Sequence, residues 1–388
     1  MTYLDRAQAL RAETAAHRRY LHQNAETGLR LPKACAYVSA QLAACGIKSA
    51  ACGHGIMAQI GSGGRVLLLR ADMDALPMKE ESGESFACPC GAAHACGHDL
   101  HAAMLLTAAK MLKENEGRLR GTVRLMFQPA EETFEGAKDM IENGVLDGVS
   151  AALAFHAAPG RLPCGTYMYN ASGTMMCAAD CFAITVRGRG AHGAYPHHAV
   201  DPVHIAAHLT LALESLIARE ADPQKTCVLT VGRLAAGAGA NAIPDTALLE
   251  GTIRTGDTDS RALLIRRMRE TAEGVAKTFG GEADIHMRPG VPPLVCDPQL
   301  TQEMTEYIKA LSLPGAKGIH GVSACASEDF ALIAERVPAA FIYLSAGYPD
   351  QRGDAPAHSP KVRFNEDVLP MGSAYLAHCA ESWLCAHA

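Results

Sequence analysis

Six side chains of the kinds that bind metal ions follow predicted strands, turns or helix starts in this 388-residue chain. They are Cys96, His98, Glu131, Glu132, His156 and His358. In α/β proteins the carboxyl ends of parallel strands meet at one edge of the sheet, and catalytic sites are assembled there. A single His or Cys is more often a packed or surface residue than a ligand, but here several segments show the same arrangement. Together they predict a metal site typical of metal-dependent hydrolases.

The first pair of candidate ligands is Cys96 and His98, which are separated only by Gly97. A glycine lets the backbone turn tightly, so the thiol and the imidazole can face one ion. A helix is predicted to start here, and its N-terminus favours a thiolate over a thiol. The alternative is a cysteine hydrolase that uses Cys96 as its nucleophile and His98 as its base. That alternative leaves the other candidate ligands without a role.

The second pair is Glu131 and Glu132, which follow a predicted strand over residues 121–127. Adjacent residues of extended chain point in opposite directions, so one carboxylate can bind metal while its neighbour faces a bound water. A solvated turn is the alternative. His156 follows an apolar run at 151–155, and His358 lies in a loop flanked by prolines.

The chain contains 14 cysteines, spread over a protein too large to need disulfides for stability. We expect most of them to be reduced, buried and apolar in character. Cys88 and Cys90 are an exception, because with His94 they could form a separate structural zinc cluster. Their spacing departs from the usual gap of two to four residues between paired zinc ligands.

Composition limits the classes of function. The chain is 48% hydrophobic and carries a formal net charge of −6, which provides no basic surface for nucleic acid or anionic lipid. Small-molecule substrates fit this composition better. No apolar run reaches the roughly 18 residues of a membrane span, and the first residues lack the apolar stretch of a secretory signal. We therefore expect a cytoplasmic location.

The elements that position these residues follow two patterns. Residues 1–179 and 291–388 alternate strands and helices, which predicts an α/β catalytic domain with a mostly parallel sheet. The predicted elements of this domain are helix 4–26, strand 65–70, helix 98–112, strand 121–127, helix 135–143, strand 151–155, helices 298–311 and 327–336, strand 340–344 and helix 368–385. Because the candidate ligands come from both segments, both must belong to one domain.

Residues 180–290 follow a different order, βαββαβ, which is the pattern of a ferredoxin-like sandwich. The predicted elements are strand 181–186, helix 202–219, strands 226–233 and 246–255, helix 260–279 and strand 283–288. This segment looks like an insertion into the catalytic domain.

Several motifs together resemble one family. They are Arg70-Ala71-Asp72-Met73-Asp74-Ala75-Leu76-Pro77, His94-Ala95-Cys96-Gly97-His98-Asp99, Phe127-Gln128-Pro129-Ala130-Glu131-Glu132, Asn241-Ala242-Ile243-Pro244-Asp245, Gly251-Thr252-Ile253-Arg254-Thr255 and Ser327-Glu328-Asp329-Phe330. The chain resembles, over nearly its whole length, the amidohydrolase branch of the aminoacylase and carboxypeptidase metallopeptidases. This resemblance implies cleavage of the amide bond of N-acyl-L-amino acids, with dipeptidase or carboxypeptidase activity on the same scaffold as the alternative.

The resemblance also implies a cofactor and roles for the candidate residues. It implies two divalent metal ions per subunit, such as zinc, manganese, cobalt or nickel. Their ligands would be Cys96, His98, Glu132, His156 and His358. Glu131 would be the general base. Asp74 could cap a turn or orient a ligating histidine.

Three residues of the inserted segment complete the prediction. By resemblance His192 reaches an active site, in several relatives that of the partner subunit. The resemblance therefore implies that residues 180–290 are a lid and dimerisation domain, through which we expect a homodimer to form. Arg254 could hold a substrate carboxylate through two parallel hydrogen bonds, and Asn241 could donate one more. The alternatives are a surface charge at a strand end for Arg254 and a turn residue for Asn241. A non-catalytic binding protein is a further alternative, which the intact Glu131 argues against.

Overall fold

The computed structural model describes residues 2–311 and 317–388, and the chain divides into two compact units. The first unit contains Met1–Met175, Val295–Ser323 and Glu328–Ala388, and the second contains Met176–Leu294 and Ala324–Ser327. The predicted boundaries at 179/180 and 290/291 lie within a few residues of the ends of the segment Met176–Leu294. The assignment of Ala324–Ser327 to the second unit was not predicted. The predicted catalytic segments also include residues 1 and 312–316, which lie outside the described residues.

The strands are β1 (Ser49–Cys52), β2 (Gly55–Gly61), β3 (Arg65–Asp72), β4 (Gly121–Gln128), β5 (Ala151–Ala158), β6 (Tyr167–Tyr169), β7 (Thr174–Met176), β8 (Ala178–Arg187), β9 (Ala191–His192), β10 (Cys227–Ala236), β11 (Ala242–Ile243), β12 (Thr246–Thr255), β13 (Glu282–Val291), β14 (Leu294–Val295), β15 (Gly318–His320) and β16 (Ala339–Ser345). The α-helices are α1 (Tyr3–Ala9), α2 (Arg11–Gln23), α3 (Pro32–Ala44), α4 (His98–Glu114), α5 (Gly136–Glu142), α6 (Pro202–Arg219), α7 (Thr258–Thr278), α8 (Pro298–Ala310), α9 (Ala331–Ala334) and α10 (Val368–Ala386). Within the described part of the chain, no helix has both the length and the apolar character needed to cross a membrane.

The first unit is built on one eight-stranded sheet with the order β1-β2-β4-β3-β5-β16-β6-β15. Its central neighbours β4, β3, β5 and β16 run parallel. Leu67, Leu68 and Leu69 are fully buried, so β3 is covered on both of its faces, as its continuous apolar sequence predicts. Helices α4 and α10 pack on each other and against β3. The parallel strands therefore end at one edge of the sheet, and the candidate site lies there.

Three local predictions for the first unit were wrong. The opening helix is interrupted at Leu10, whose φ of −93° and ψ of 2° leave the helical region. The helix predicted over 327–336 is only the single turn α9, because the side chains of Glu328 and Asp329 bind a buried arginine before the helix begins. His156 lies inside β5 rather than beyond its end. Helix α3 and strands β1 and β2 were not predicted.

The second unit contains a four-stranded antiparallel sheet with the order β10-β12-β8-β13. Alternate residues of β8 are buried, and Phe182, Ile184 and Val186 form a core with side chains of α6 and α7. This alternation is expected when helices cover one face of an antiparallel sheet. The element order and the strand order agree with the βαββαβ sandwich predicted for the inserted segment.

Candidate metal centre

The metal-type residues of the first unit lie close together. Among the described residues, five sets of candidate ligand atoms each lie within 4.8 Å of one another, and two of these sets contain the Cys96 thiol. The first set joins Cys96 with His98 and His156, and the second joins it with Glu132 and His358. The Cys96 thiol thus lies within reach of both pairs of candidate ligands.

The turn at Gly97 brings Cys96 and His98 to the start of α4. Gly97 has a φ of 90°, and a Cβ added there would lie 3.1 Å from the ring of Phe364. Only glycine fits this left-handed and crowded position without strain. His98 is fully buried, and its Nδ1 lies 2.9 Å from the Asp74 carbonyl oxygen. This bond makes Nδ1 the donor and leaves Nε2 as a lone-pair ligand.

Asp74 also holds the loop that carries the two glutamates. The backbone N–H of Glu131 donates to Oδ1 of Asp74 at 3.0 Å, and that of Glu132 donates to Oδ2 at 3.1 Å. Ala130, just before them, has a φ of 52°, a conformation that is uncommon for residues other than glycine. Asp74 therefore fits both interpretations. Its carboxylate caps this loop, and its backbone carbonyl accepts a hydrogen bond from the candidate ligand His98.

His156 and His358 complete the two sets. The Nδ1 of His156 bonds to the Ala157 carbonyl oxygen at 3.0 Å, and its Nε2 lies 3.5 Å from the Cys96 sulfur. The Nε2 of His358 lies 3.4 Å from Oε1 of Glu132, and the backbone N–H of His358 donates to the Ala95 carbonyl oxygen. His358 also has a positive φ, 64°. The loop thus fixes the direction of this side chain in an unusual backbone conformation.

These separations fit bound metal ions. Ligands at the usual zinc–nitrogen, zinc–oxygen and zinc–sulfur distances in a tetrahedral site lie about 3.3–3.6 Å apart. Among the described residues, the buried His98 Nε2 and Glu132 Oε1 have no hydrogen-bond partner. A buried polar atom without a hydrogen bond is costly, and a metal ion would satisfy both atoms.

Burial shifts the pKa values of two of the candidate ligands, His156 and Cys96. Burial lowers the pKa of His156, so its imidazole is neutral at neutral pH and its Nε2 carries a free lone pair. Burial raises the pKa of the Cys96 thiol, so the thiolate depends on nearby positive charge such as a metal ion would supply.

Glu131 occupies a different setting from Glu132. It is 5% exposed, and its carboxylate lies within 4.8 Å of those of Glu328 and Asp329. Burial raises the pKa of Glu131 well above its ordinary value, and the two neighbouring carboxylates raise it further. A carboxylate with raised proton affinity, beside a metal site, is suited to accept a proton from water.

A buried network behind the site was not predicted. Arg70 donates to Asp72 at 2.7 Å, to Glu328 at 2.8 Å and to Asp329 at 3.0 Å. Gln128 accepts from the same guanidinium and donates to Asp329. A charged residue inside an apolar strand was the available signal, since a buried arginine needs acidic partners.

His101 is a second residue that sequence reasoning missed. Its Nδ1 bonds to Asp72, and its Nε2 accepts from the backbone N–H of Ala157 at 2.7 Å. Both ring nitrogens are therefore occupied, which makes His101 a support for the end of β5 rather than a ligand. Its position three residues after His98, on the same face of α4, was the signal.

The residues predicted in the inserted segment lie in the second unit. His192 is exposed and pairs with Ala242 across β9 and β11, and its Nδ1 accepts from the Ala194 N–H at 3.1 Å. The backbone carbonyl of Asn241, also exposed, accepts from the Gly193 N–H at 2.8 Å. The structure thus brings His192 and Asn241 together.

Arg254 lies elsewhere in the second unit, on β12 of the four-stranded sheet. It is half-buried, and its Nη1 donates to the Ser327 hydroxyl at 2.6 Å. Ser327 belongs to the short segment that returns to this unit. The Arg254 side chain is therefore held by a hydrogen bond and is not a freely exposed charge at a strand end.

Cys88 and Cys90 are joined by a disulfide, and the other 12 cysteines are free. The disulfide removes both thiolates from the alternative zinc cluster. The prediction that most cysteines are reduced agrees with these free thiols. The prediction that most are buried was wrong, because only Cys52, Cys177, Cys296 and Cys379 of the free cysteines are buried and the others lie at partly or fully exposed positions.

Comparisons with known proteins identify the family of this chain. The profile of peptidase family M20/M25/M40 matches residues 68–382. An N-acetyl-L-cysteine deacetylase of Bacillus subtilis is 36% identical over 372 residues, covering 95% of this chain and 87% of the relative. An Arabidopsis thaliana protein named IAA-amino acid hydrolase ILR1-like 2 is 37% identical over 378 residues, covering 95% and 84%.

Among solved structures, a Bacillus subtilis protein described as a dinuclear metal-binding peptidase of the M20 family superposes with a TM-score of 0.84. It is 31% identical, and the match covers 97% of this chain and 99% of that one. The agreement extends over both units of the chain.

Proposed function

Because the chain belongs to peptidase family M20/M25/M40, we propose that it is a metal-dependent amidohydrolase. Its substrates would be N-acyl-L-amino acids, which it would split into a carboxylate and a free amino acid. The observation that carries this proposal is the Cys96 thiol, which is common to two sets of ligand atoms next to the buried Glu131.

The proposed ligands are Cys96, His98, Glu132, His156 and His358. Two divalent ions, when bound there, would polarise a water molecule and the substrate carbonyl. We propose zinc, manganese, cobalt or nickel as these ions. The ligand set combines a thiolate, imidazoles and a carboxylate, which suits zinc and neighbouring transition metals.

Glu131 is proposed to move the proton. Its carboxylate would accept a proton from the attacking water and return it to the departing amine. Asp74 supports this role, because it fixes the backbone of both Glu131 and Glu132 and so holds the base beside the ligand. The Arg70 network on the other side anchors the neighbouring Glu328 and Asp329.

The remaining roles belong to the second unit. His192 would donate a hydrogen bond to the oxygen that becomes negative during amide cleavage, because its Nε2 remains available while Nδ1 is occupied. Arg254 and Asn241 would bind the free carboxylate of the amino acid.

The substrate class is supported by the names of two relatives that span most of the chain. One name describes removal of an acetyl group from N-acetyl-L-cysteine, and the other describes hydrolysis of IAA–amino acids. Both substrates are amino acids whose amine carries an acyl group. We therefore propose this class and leave the acyl group to experiment.

The test is a hydrolysis screen with N-acetyl, N-benzoyl and N-indoleacetyl amino acids and dipeptides. The protein is assayed as purified, after chelation, and after addition of Mn²⁺, Co²⁺ or Zn²⁺. We expect turnover of one or more N-acyl amino acids that is lost on chelation and recovered with metal. Activity that survives complete metal removal would favour the cysteine hydrolase, and preference for dipeptides would favour the dipeptidase alternative.

We also propose a homodimer formed through the second unit and a cytoplasmic location. If His192 serves the partner subunit's site, mixing inactive Glu131→Gln and His192→Ala proteins creates sites with both native residues. Recovered activity on mixing, together with a dimeric mass in solution, would support this arrangement. A monomeric mass would rule it out.

A further inference from the structure

Two cysteines of the second unit lie opposite each other on neighbouring backbone segments. Met176 forms a parallel bridge with Ala324, and the backbone N–H of Cys177 donates to the carbonyl oxygens of Ala324 and Ala326 at 3.2 and 2.9 Å. This register places Cys177 beside Cys325. Neighbouring strands lie about 4.8 Å apart, within the roughly 4.4–6.8 Å that separates the Cα atoms of a disulfide. The backbone can therefore accept a bond between the two sulfurs with little movement.

We propose that Cys177 and Cys325 are a redox modification site, which a low-molecular-weight disulfide or a peroxide converts from two thiols to an intramolecular disulfide. Both cysteines are free in the structure, so it represents the reduced form. The pair is separate from the Cys88–Cys90 disulfide, which belongs to the first unit.

The two thiols differ in accessibility, and this sets the order of the reaction. Cys325 is exposed and Cys177 is buried. Burial raises the pKa of the Cys177 thiol to about 11, and the adjacent Cys325 contributes to that rise. Since oxidants react with the thiolate, a buried protonated thiol is slow to react by itself. The reagent meets Cys325 first, and Cys177 reacts second.

The steps follow ordinary thiol–disulfide exchange. Cys325 loses its proton and attacks one sulfur of the small disulfide, forming a mixed disulfide and releasing one small thiol. Cys177 then loses its proton and attacks the Cys325 sulfur, and the second small thiol leaves. The protein loses two protons and two electrons, and one small disulfide becomes two small thiols. With hydrogen peroxide the reduced product is two molecules of water.

The bond would affect a neighbouring contact. Ser327 lies two residues after Cys325 and accepts the 2.6 Å hydrogen bond from Arg254. A bond between the Cys325 and Cys177 sulfurs restrains the segment 324–327 that carries this hydroxyl, and even a small shift there lengthens a 2.6 Å hydrogen bond. If Arg254 binds the substrate carboxylate, which rests on the proposed function, oxidation weakens substrate binding. We expect KM to rise by about threefold or more, with a smaller change in kcat.

The experiment compares metal-loaded wild type with Cys325→Ser and with the control Cys385→Ser. Cys385 is an exposed cysteine of the first unit. Each protein is treated with oxidised glutathione and digested without reduction, and its peptides are identified by mass spectrometry. We expect a peptide linking Cys177 to Cys325 in wild type and in the control, and none in Cys325→Ser. Absence of this peptide, or a link from Cys177 to Cys227 instead, would overturn the site.

Kinetics of the same samples test the consequence for Arg254. The rise in KM should occur in oxidised wild type and in the control, be absent in Cys325→Ser, and be reversed by dithiothreitol. Because Cys96 is present in all three proteins, its oxidation cannot mimic this pattern. A linked peptide with unchanged KM would overturn the connection to Arg254. Failure of the reduced wild type to hydrolyse any N-acyl amino acid would instead contradict the proposed function, while the mass spectra would still decide the disulfide.

Discussion

The candidate residues of the two units are held in contrasting ways. In the first unit, His98, Glu131 and His156 are 0%, 5% and 8% exposed, and each has a neighbour that fixes its ring or its backbone. In the second unit, His192 and Asn241 are exposed and are held through backbone bonds of a short strand pair. Buried and fixed side chains suit bond-breaking chemistry, which needs a precise geometry. Exposed side chains such as His192 and Asn241 suit contacts with a substrate that arrives from solvent.

The strongest test of this contrast is Glu131→Gln. The amide cannot accept a proton, so we expect kcat to fall by at least about a thousandfold while metal content stays normal. The control is Glu135→Gln, an exposed glutamate of the same loop, which should leave kcat near wild type. Turnover retained in Glu131→Gln would refute its assignment as the base.

A second test concerns the rigidity of the first unit. Burial disfavours a charged His22, but hydrogen bonds and charges from Asp99 and Glu80 outweigh it and raise the pKa of His22 to about 9. Because the folded pKa is raised, the stabilisation is fully present below about pH 6.5 and is lost as pH rises through about 9. We expect His22→Gln to lower the free energy of unfolding by up to about 3 kcal/mol at pH 6, and by less at pH 9.5.

Denaturant unfolding in excess chelator measures this difference without a contribution from metal release. The exposed His320 provides the control, and His320→Gln should show no comparable change between the two pH values. An equal loss of stability at both pH values in His22→Gln would show that the charged form of His22 is not what stabilises the fold.

In the second unit we expect smaller effects on turnover. His192→Ala removes the proposed donor to the developing negative charge, so kcat should fall by about a hundredfold. Because His192 is not a proposed ligand, the metal content measured on the same sample should not change. Loss of metal from this variant would move His192 into the ligand set, and normal kinetics would remove it from catalysis.

The smallest effect is expected from Arg254→Lys. Lysine keeps the positive charge but cannot form two parallel hydrogen bonds to a carboxylate, so KM should rise by about tenfold with little change in kcat. The matched control is Arg233→Lys on the neighbouring strand β10, an exposed arginine paired with Glu250. If both variants behave alike, Arg254 has no specific role in binding substrate.

The sequence predicted the α/β fold and the inserted βαββαβ order, because continuous apolar strands and amphipathic helices carry strong periodic signals. It also selected Cys96 and His358, which the structure places in one set of ligand atoms although they lie far apart in the chain. The roles of these residues stay predictions until metal is measured.

What the sequence could not predict depends on contacts over long distances. The partners of Arg70 include residues more than 250 positions away, and a local pattern contains no information about such a pairing. The same pairing keeps Glu328 and Asp329 out of the helix that was predicted over 327–336. The return of 324–327 to the second unit likewise joins segments that are far apart in the chain.

We propose that Cys96 is a ligand on which the whole metal centre depends, because its thiol lies near both pairs of candidate ligands. The most direct measurement is the metal content per chain of wild type, Cys96→Ala and the control Cys379→Ala, which changes a buried cysteine of α10. The account predicts two ions in wild type and in the control, and one or fewer in Cys96→Ala. Two ions retained by Cys96→Ala would contradict it.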